Sequence, residues 1–101
     1  MSREIVCTSI EEIRSNIDLI DRKIVELLAE RGGFVKQAAG FKKTTDEVKA
    51  PQRVEQVIAK VRALAGQLGG SPEVTEAVYR AMISAFISAE LQEHAELTRS
   101  H

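Results

Sequence analysis

The sequence predicts an all-α protein with three helices per chain, one long and two shorter, assembled as a homodimer. Three observations carry that expectation. Ile10, Ile13, Ile17, Ile20, Ile24 and Leu27 recur at alternating steps of three and four, the a/d spacing of a helical seam. The composition is dominated by Ala, Ile, Val, Leu, Glu and Lys, with three Phe, one Tyr, no Trp and two Pro, which is the vocabulary of a helical bundle. The long helix would span roughly 51 Å at about 1.5 Å per residue. A compact chain of this size has a radius of gyration of only about 13 Å. The remaining residues are too few to wrap such a helix, so a second copy is expected to cover its seam.

One domain of 101 residues is expected, small enough that a monomeric core would be marginal. The formal net charge of -1 provides no field that would draw in nucleic acid or a membrane surface, and the Lys42-Lys43 pair is too short to change that. Cys7 is the single cysteine, which excludes an internal disulfide and fits a reduced compartment. With no signal-peptide core and no run that would span a bilayer, a cytoplasmic protein is expected.

Residues Met1 to Thr8 read as a loose arm. Ser9 followed by Glu12 has capping-box spacing and predicts the start of the first helix, which is expected over about 9–42. Gly32-Gly33 interrupts it at a cost of about 1 kcal/mol per glycine relative to alanine. Either this is a tolerated weak spot, or a bare backbone lets a helix or ligand come close. The polar run Lys42-Lys43-Thr44-Thr45-Asp46 should end or fray the helix. Ala50-Pro51 predicts a second start, with Val54, Val57, Val61, Leu64 and Leu68 stepping along a helix over about 51–68. Gly69-Gly70-Ser71-Pro72 combines a glycine stop, a serine cap and a proline start, placing a third helix over about 72–97. Val74, Val78, Ala81, Met82, Ala85 and Ala89 make one apolar face of it, and Ile83, Ile87 and Glu90 line another. Burial on more than one side is therefore expected.

Chemistry has few carriers here. There is no phosphate-binding glycine loop, no Cys/His metal spacing and no Ser-His-Asp set. Glu90 and His94, one turn apart, lack a third ligand and read as an ordinary helix pair. The remaining group is four long cations: Arg14, Arg31, Lys42 and Arg53. Asp18, four residues on, accounts for Arg14 through an exposed salt bridge; the helix dipole and Asp46 account for Lys42. Arg53 has no acidic residue three or four positions away. Arg31 stands apart, because it occupies the seam position after Leu27 and its neighbours Leu27, Leu28, Phe34 and Val35 are all apolar. A charge aimed into a core needs a partner, and an anionic ligand is the expected one. On a continuous helix Lys42 lies about 20° around and roughly 16 Å along from Arg31, within joint reach of a small molecule. Arg14 is about 25 Å away along the axis and reaches Arg31 only from the partner of an antiparallel dimer. Two guanidiniums and an ammonium suit a small dicarboxylate.

The run from Ile13-Arg14 through Leu28-Ala29-Glu30-Arg31, then Gly40-Phe41-Lys42 and Ala50-Pro51-Gln52-Arg53-Val54, resembles the all-helical chorismate mutase family. It is especially similar to the isochorismate-pyruvate lyase branch, in length and in the Ala-Pro-x-Arg-Val form. The resemblance implies an intertwined helical dimer with two equivalent sites. It implies that Arg14 of one chain and Arg31 of the other hold the substrate carboxylates, that Lys42 donates to the ether oxygen, and that Arg53 lines the pocket. Many mutases follow the second-helix arginine with a glutamate, where this chain has Val54 as the lyase branch does. Family members commonly carry a glutamine on the third helix that donates to the ether oxygen; here the matching residue is Glu90, which donates only when protonated. The implied activity is rearrangement of chorismate to prephenate, with elimination of pyruvate from isochorismate to give salicylate as the alternative. Both can be pericyclic, so no nucleophile, metal or cofactor is expected. A third reading, from a different class, is a non-catalytic helical dimer that binds an aromatic-pathway acid.

Overall fold

The computed structural model describes residues 6–99, with side chains through Glu96; the first five residues of the expected N-terminal arm lie outside the described residues. The order is α1 (Ile10–Ala39), α2 (Thr45–Lys49), α3 (Pro51–Gln67) and α4 (Pro72–Arg99), with no strand among the described residues. The three expected helices are thus present, with α4 at 28 residues nearly as long as α1 at 30 and only α3 markedly shorter at 17, and one short extra helix lies between α1 and α3.

Local chemistry sets each boundary. The Ser9 hydroxyl accepts from Glu12 N–H at 3.1 Å, while the Glu12 carboxylate turns back to Thr8, accepting from its N–H at 3.2 Å and its hydroxyl at 3.0 Å. At the other end α1 tightens: the N–H groups of Gly40, Phe41 and Lys42 donate to carbonyls three residues back, at 3.2, 3.0 and 3.3 Å. The helix therefore ends at Ala39, and Lys42 sits on the turn beyond it rather than in a helix reaching 42. The polar run that follows contains a second capping box. Thr44 accepts from Glu47 N–H at 3.1 Å, and the Glu47 carboxylate accepts from Lys43 N–H at 2.6 Å, which starts α2. Its spacing, Thr44-x-x-Glu47, repeats that of Ser9-x-x-Glu12. Ala50 joins α2 to α3 without a linker, in the left-handed region (φ 38°, ψ 59°), a conformation that costs a non-glycine residue about 1–2 kcal/mol. Pro51 then opens α3 at a position where no N–H is needed.

A glycine stop closes α3: Gly69 takes φ 80° and Gly70 N–H donates to Ala65 O at 2.8 Å. Ser71 caps α4 by accepting from Val74 N–H at 3.1 Å.

α4 is the element on which α1, α2 and α3 all pack. Its inner face carries Ile83 and Glu90, both buried, against Ala39, Val48, Ile58, Val61 and Ala65. On α3 the covered stripe is Ile58, Val61 and Ala65, while Leu64 and Leu68 point outward, so the stripe is rotated from the expected one. Of the two expected faces of α4, only that of Ile83, Ile87 and Glu90 is covered within the chain; Val74, Val78, Ala81, Ala85 and Ala89 are exposed. Two arginines tie α3 to α4. Arg80 donates two bonds to Glu55, both at 3.0 Å, and one to Glu76 at 2.7 Å; Arg62 donates to Glu76 at 2.7 Å.

The single chain is elongated, 59 × 25 × 15 Å with a radius of gyration of 17.1 Å. The first two-thirds of α1 lies bare, with Ile10, Ile13, Ile17, Ile20 and Ile24 each between 41% and 55% exposed. So regular a row of large aliphatic side chains is far more exposed apolar surface than a stable monomer ordinarily carries.

Candidate active site

One cavity of ≈ 290 Å³ lies where the C-terminal third of α1, the α2–α3 junction and the second half of α4 converge. Apolar walls come from Phe34, Val35 and Ala38 on α1, from Val48, Val54 and Val57, and from Ile83, Phe86 and Ile87 on α4. The charged residues of its lining are Arg31, Lys42, Lys49, Arg53 and Glu90. Four of the five expected site residues are therefore brought together by the fold. Arg14 is not among them, since it sits seventeen residues earlier on α1, about 25 Å along the axis.

Each cation is held differently. The Arg31 guanidinium carbon lies 5.1 Å from the centroid of the Phe86 ring, within cation–π range. Phe86 comes this close because residue 32 is a glycine: a Cβ there would lie 3.1 Å from Phe86 Cε1. Of the two readings of Gly32-Gly33, close approach of another helix holds at Gly32, whereas a Cβ on Gly33 would meet nothing within 4 Å. The stack orients Arg31 without consuming its N–H donors, which leaves the fork available to a carboxylate.

Lys42 Nζ stands 2.7 Å from Glu90 Oε2, with the Lys side chain 27% and the Glu side chain 5% exposed. That oxygen is buried and takes no well-oriented hydrogen bond among the described residues, so the contact is a close ion pair rather than an aligned bond. The expected partners are both replaced. Lys42 meets Glu90 rather than Asp46, and His94 does not pair with Glu90 but places Nε2 2.9 Å from the Lys42 carbonyl oxygen. Arg53 is exposed at the rim and makes no ion pair among the described residues. Arg14 likewise has none; its expected salt bridge to Asp18 is not formed. Four positive side chains, Arg31, Lys42, Lys49 and Arg53, against the one carboxylate of Glu90 leave the cavity with an excess of three formal charges. Sequence reasoning missed Phe86, His94 and the Val48–Ala50 wall. Only Thr44-x-x-Glu47 signalled that an element lay there.

An apolar cavity edged by arginines and lysines has the lining and charge that suit a small organic anion. The family model described as chorismate mutase type II matches residues 13–91, and the chain belongs to that family of enzymes. It is 30% identical over 86 residues to an isochorismate pyruvate lyase of Pseudomonas aeruginosa, covering 85% of each chain. It is also 33% identical over 85 residues to a bifunctional chorismate mutase/prephenate dehydratase of Aquifex aeolicus, covering 80% of this chain and 24% of that longer protein. Membership of an enzyme family removes the reading of a non-catalytic acid-binding dimer. No helix among the described residues is long and apolar enough to cross a membrane.

Proposed function

We propose that the chain is a chorismate mutase acting in cytoplasmic aromatic biosynthesis as a homodimer, with two sites each built from both subunits. The observation that carries this is the convergence of Arg31, Lys42 and Arg53 on one apolar cavity. Chorismate is a flexible dianion, and its rearrangement breaks an ether C–O bond as a C–C bond forms, with no covalent intermediate on the protein. Catalysis then consists of selecting the reactive conformer and meeting the negative charge that grows on the ether oxygen. Arg31, oriented by Phe86, holds one carboxylate. Arg14 of the partner subunit, which makes no ion pair among the described residues of its own chain, holds the other. Lys42 faces the ether oxygen as a donor with Glu90 beside it, and Arg53 closes the rim. No cofactor is invoked.

The bare seam of α1 supports the dimer. Its isoleucines stay between 41% and 55% exposed among the described residues, and an antiparallel partner both covers them and delivers Arg14.

A second reading is favoured by one position. Val54 lines the cavity next to Arg53, where a glutamate would face the ring hydroxyl in many mutases, and valine is the form of the isochorismate-pyruvate lyase branch. Elimination of pyruvate from isochorismate makes the same demands on the cations. Purified protein given chorismate and isochorismate separately, with prephenate and salicylate measured, decides between them. Prephenate as the main product upholds the mutase reading; salicylate alone transfers it to the lyase. Neither product would overturn both.

A further inference from the structure

We propose that His94 is a positioning residue that fixes Lys42 for the reaction, acting through the Lys42 backbone. The inference rests on the reading of Lys42 as a donor to the breaking ether oxygen.

Because α1 ends at Ala39, Lys42 is not carried by a helix. Among the described residues its segment is held from behind by the short turn bonds of Phe41 and Lys42 N–H to Ala38 and Ala39, and from ahead by Lys43 N–H on Glu47. The Phe41 side chain, 87% exposed, adds little packing to this hold. Against this weak local hold, α4 grips Lys42 twice. Glu90 meets the ammonium at 2.7 Å, and His94, one helical turn later, meets the carbonyl oxygen at 2.9 Å. The carbonyl can only accept, so Nε2 carries the hydrogen, as it does in one neutral tautomer and in the imidazolium.

The two contacts differ in what substrate does to them. A dianion entering the cavity competes with Glu90 for the ammonium, so that contact weakens when catalysis needs Lys42 most. The His94 bond goes to the main chain and has no competitor in the cavity. It is the hold that remains in the complex, and it sets the origin of a side chain with four rotatable bonds. A displacement of about 1 Å at a catalytic group costs on the order of a hundredfold in rate.

The test compares His94→Leu with His94→Gln, whose amide nitrogen lies at a similar reach and keeps an N–H donor. In His94→Leu, kcat should fall by about ten- to a hundredfold with KM within about threefold, because the Lys42 bond strengthens in the transition state. His94→Gln should recover most of the loss. Independently of activity, trypsin should cut native His94→Leu after Lys42 and Lys43 faster than wild type, and His94→Gln at the wild-type rate. Wild-type kcat and cleavage in His94→Leu, or equal damage in both variants, overturns the proposal. Wild-type protein inactive on both chorismate and isochorismate refutes the proposed function instead, and the cleavage rates alone then decide whether His94 holds the Lys42 segment.

Discussion

The Lys42 ammonium and the buried Glu90 carboxylate stand 2.7 Å apart, across 48 residues of chain, at the mouth of a cavity that also holds Arg31. This pair determines what the site offers a substrate. A carboxylate accepts and an ammonium donates, so in the ion-paired state Glu90 cannot assist a developing negative charge and part of the Lys42 charge is already neutralised.

A carboxylate can only accept, whereas an amide also donates and leaves Lys42 free of its ion pair. Glu90→Gln should therefore keep or raise kcat at neutral pH, and steady-state rates of the two proteins on chorismate provide the check. A loss of about a hundredfold or more in Glu90→Gln would mean that the carboxylate is needed as the anchor of Lys42.

The uncovered α1 seam predicts that dissociation and unfolding are one event. Sedimentation at micromolar concentration should give twice the chain mass, and the melting temperature should rise with protein concentration. Arg14→Ala and Arg31→Ala should each lose about a hundredfold or more in turnover, as expected when a group that holds a flexible substrate in its reactive conformer is removed. Mixing the two inactive proteins should restore part of the activity, since one site of each heterodimer keeps both arginines. A folded monomer, or no recovery after demonstrated subunit exchange, removes the shared site.

Gly32→Ala separates helix propensity from site geometry. Alanine in a helix interior is favoured over glycine by about 1 kcal/mol, yet its Cβ would press on Phe86 Cε1 at 3.1 Å. The ring must give by a few tenths of an ångström and carry the stacked Arg31 with it. KM should rise several-fold while thermal stability changes by no more than about 1 kcal/mol. An unchanged KM would show that the stack on Phe86 does not orient Arg31.

Arg80 provides a prediction for acid stability. Its hydrogen bonds hold Glu55 and Glu76 below the ordinary glutamate value of 4.5. Carboxylates with a depressed folded-state pKa contribute stability that is fully present above 4.5 and lost as pH falls through the lower folded-state values. Arg80→Gln should therefore lower stability at neutral pH and shrink the additional loss on acidification. Both carboxylates reach solvent, so added salt should reduce the difference. Urea midpoints from pH 7 down to 3 measure it, and parallel curves for the two proteins would exclude the network from acid unfolding.

Short-range rules made much of the molecule legible. Ser9-x-x-Glu12, Pro51, Gly69-Gly70 and Ser71-Pro72 mark helix ends through bonds spanning only a few residues, so those ends could be read from spacing alone. Arg31 was legible as an oddity for the same reason: its helical neighbours are adjacent in sequence, and none can neutralise it. What stands opposite a side chain was not legible. Phe86 under Arg31, Glu90 on the Lys42 ammonium and His94 on the Lys42 carbonyl join residues 48 to 55 positions apart, and such contacts depend on how helices cross. Ending α1 at Ala39 moved Lys42 off the helical lattice on which its distance from Arg31 had been reckoned, and Ala50 in a left-handed conformation swung α3 across to wall the cavity. By itself the sequence determined the helices and which positions carry charge, because both follow from local periodicity. Only the tertiary structure decided the partners of those charges, because a partner is chosen by distance in space and not along the chain.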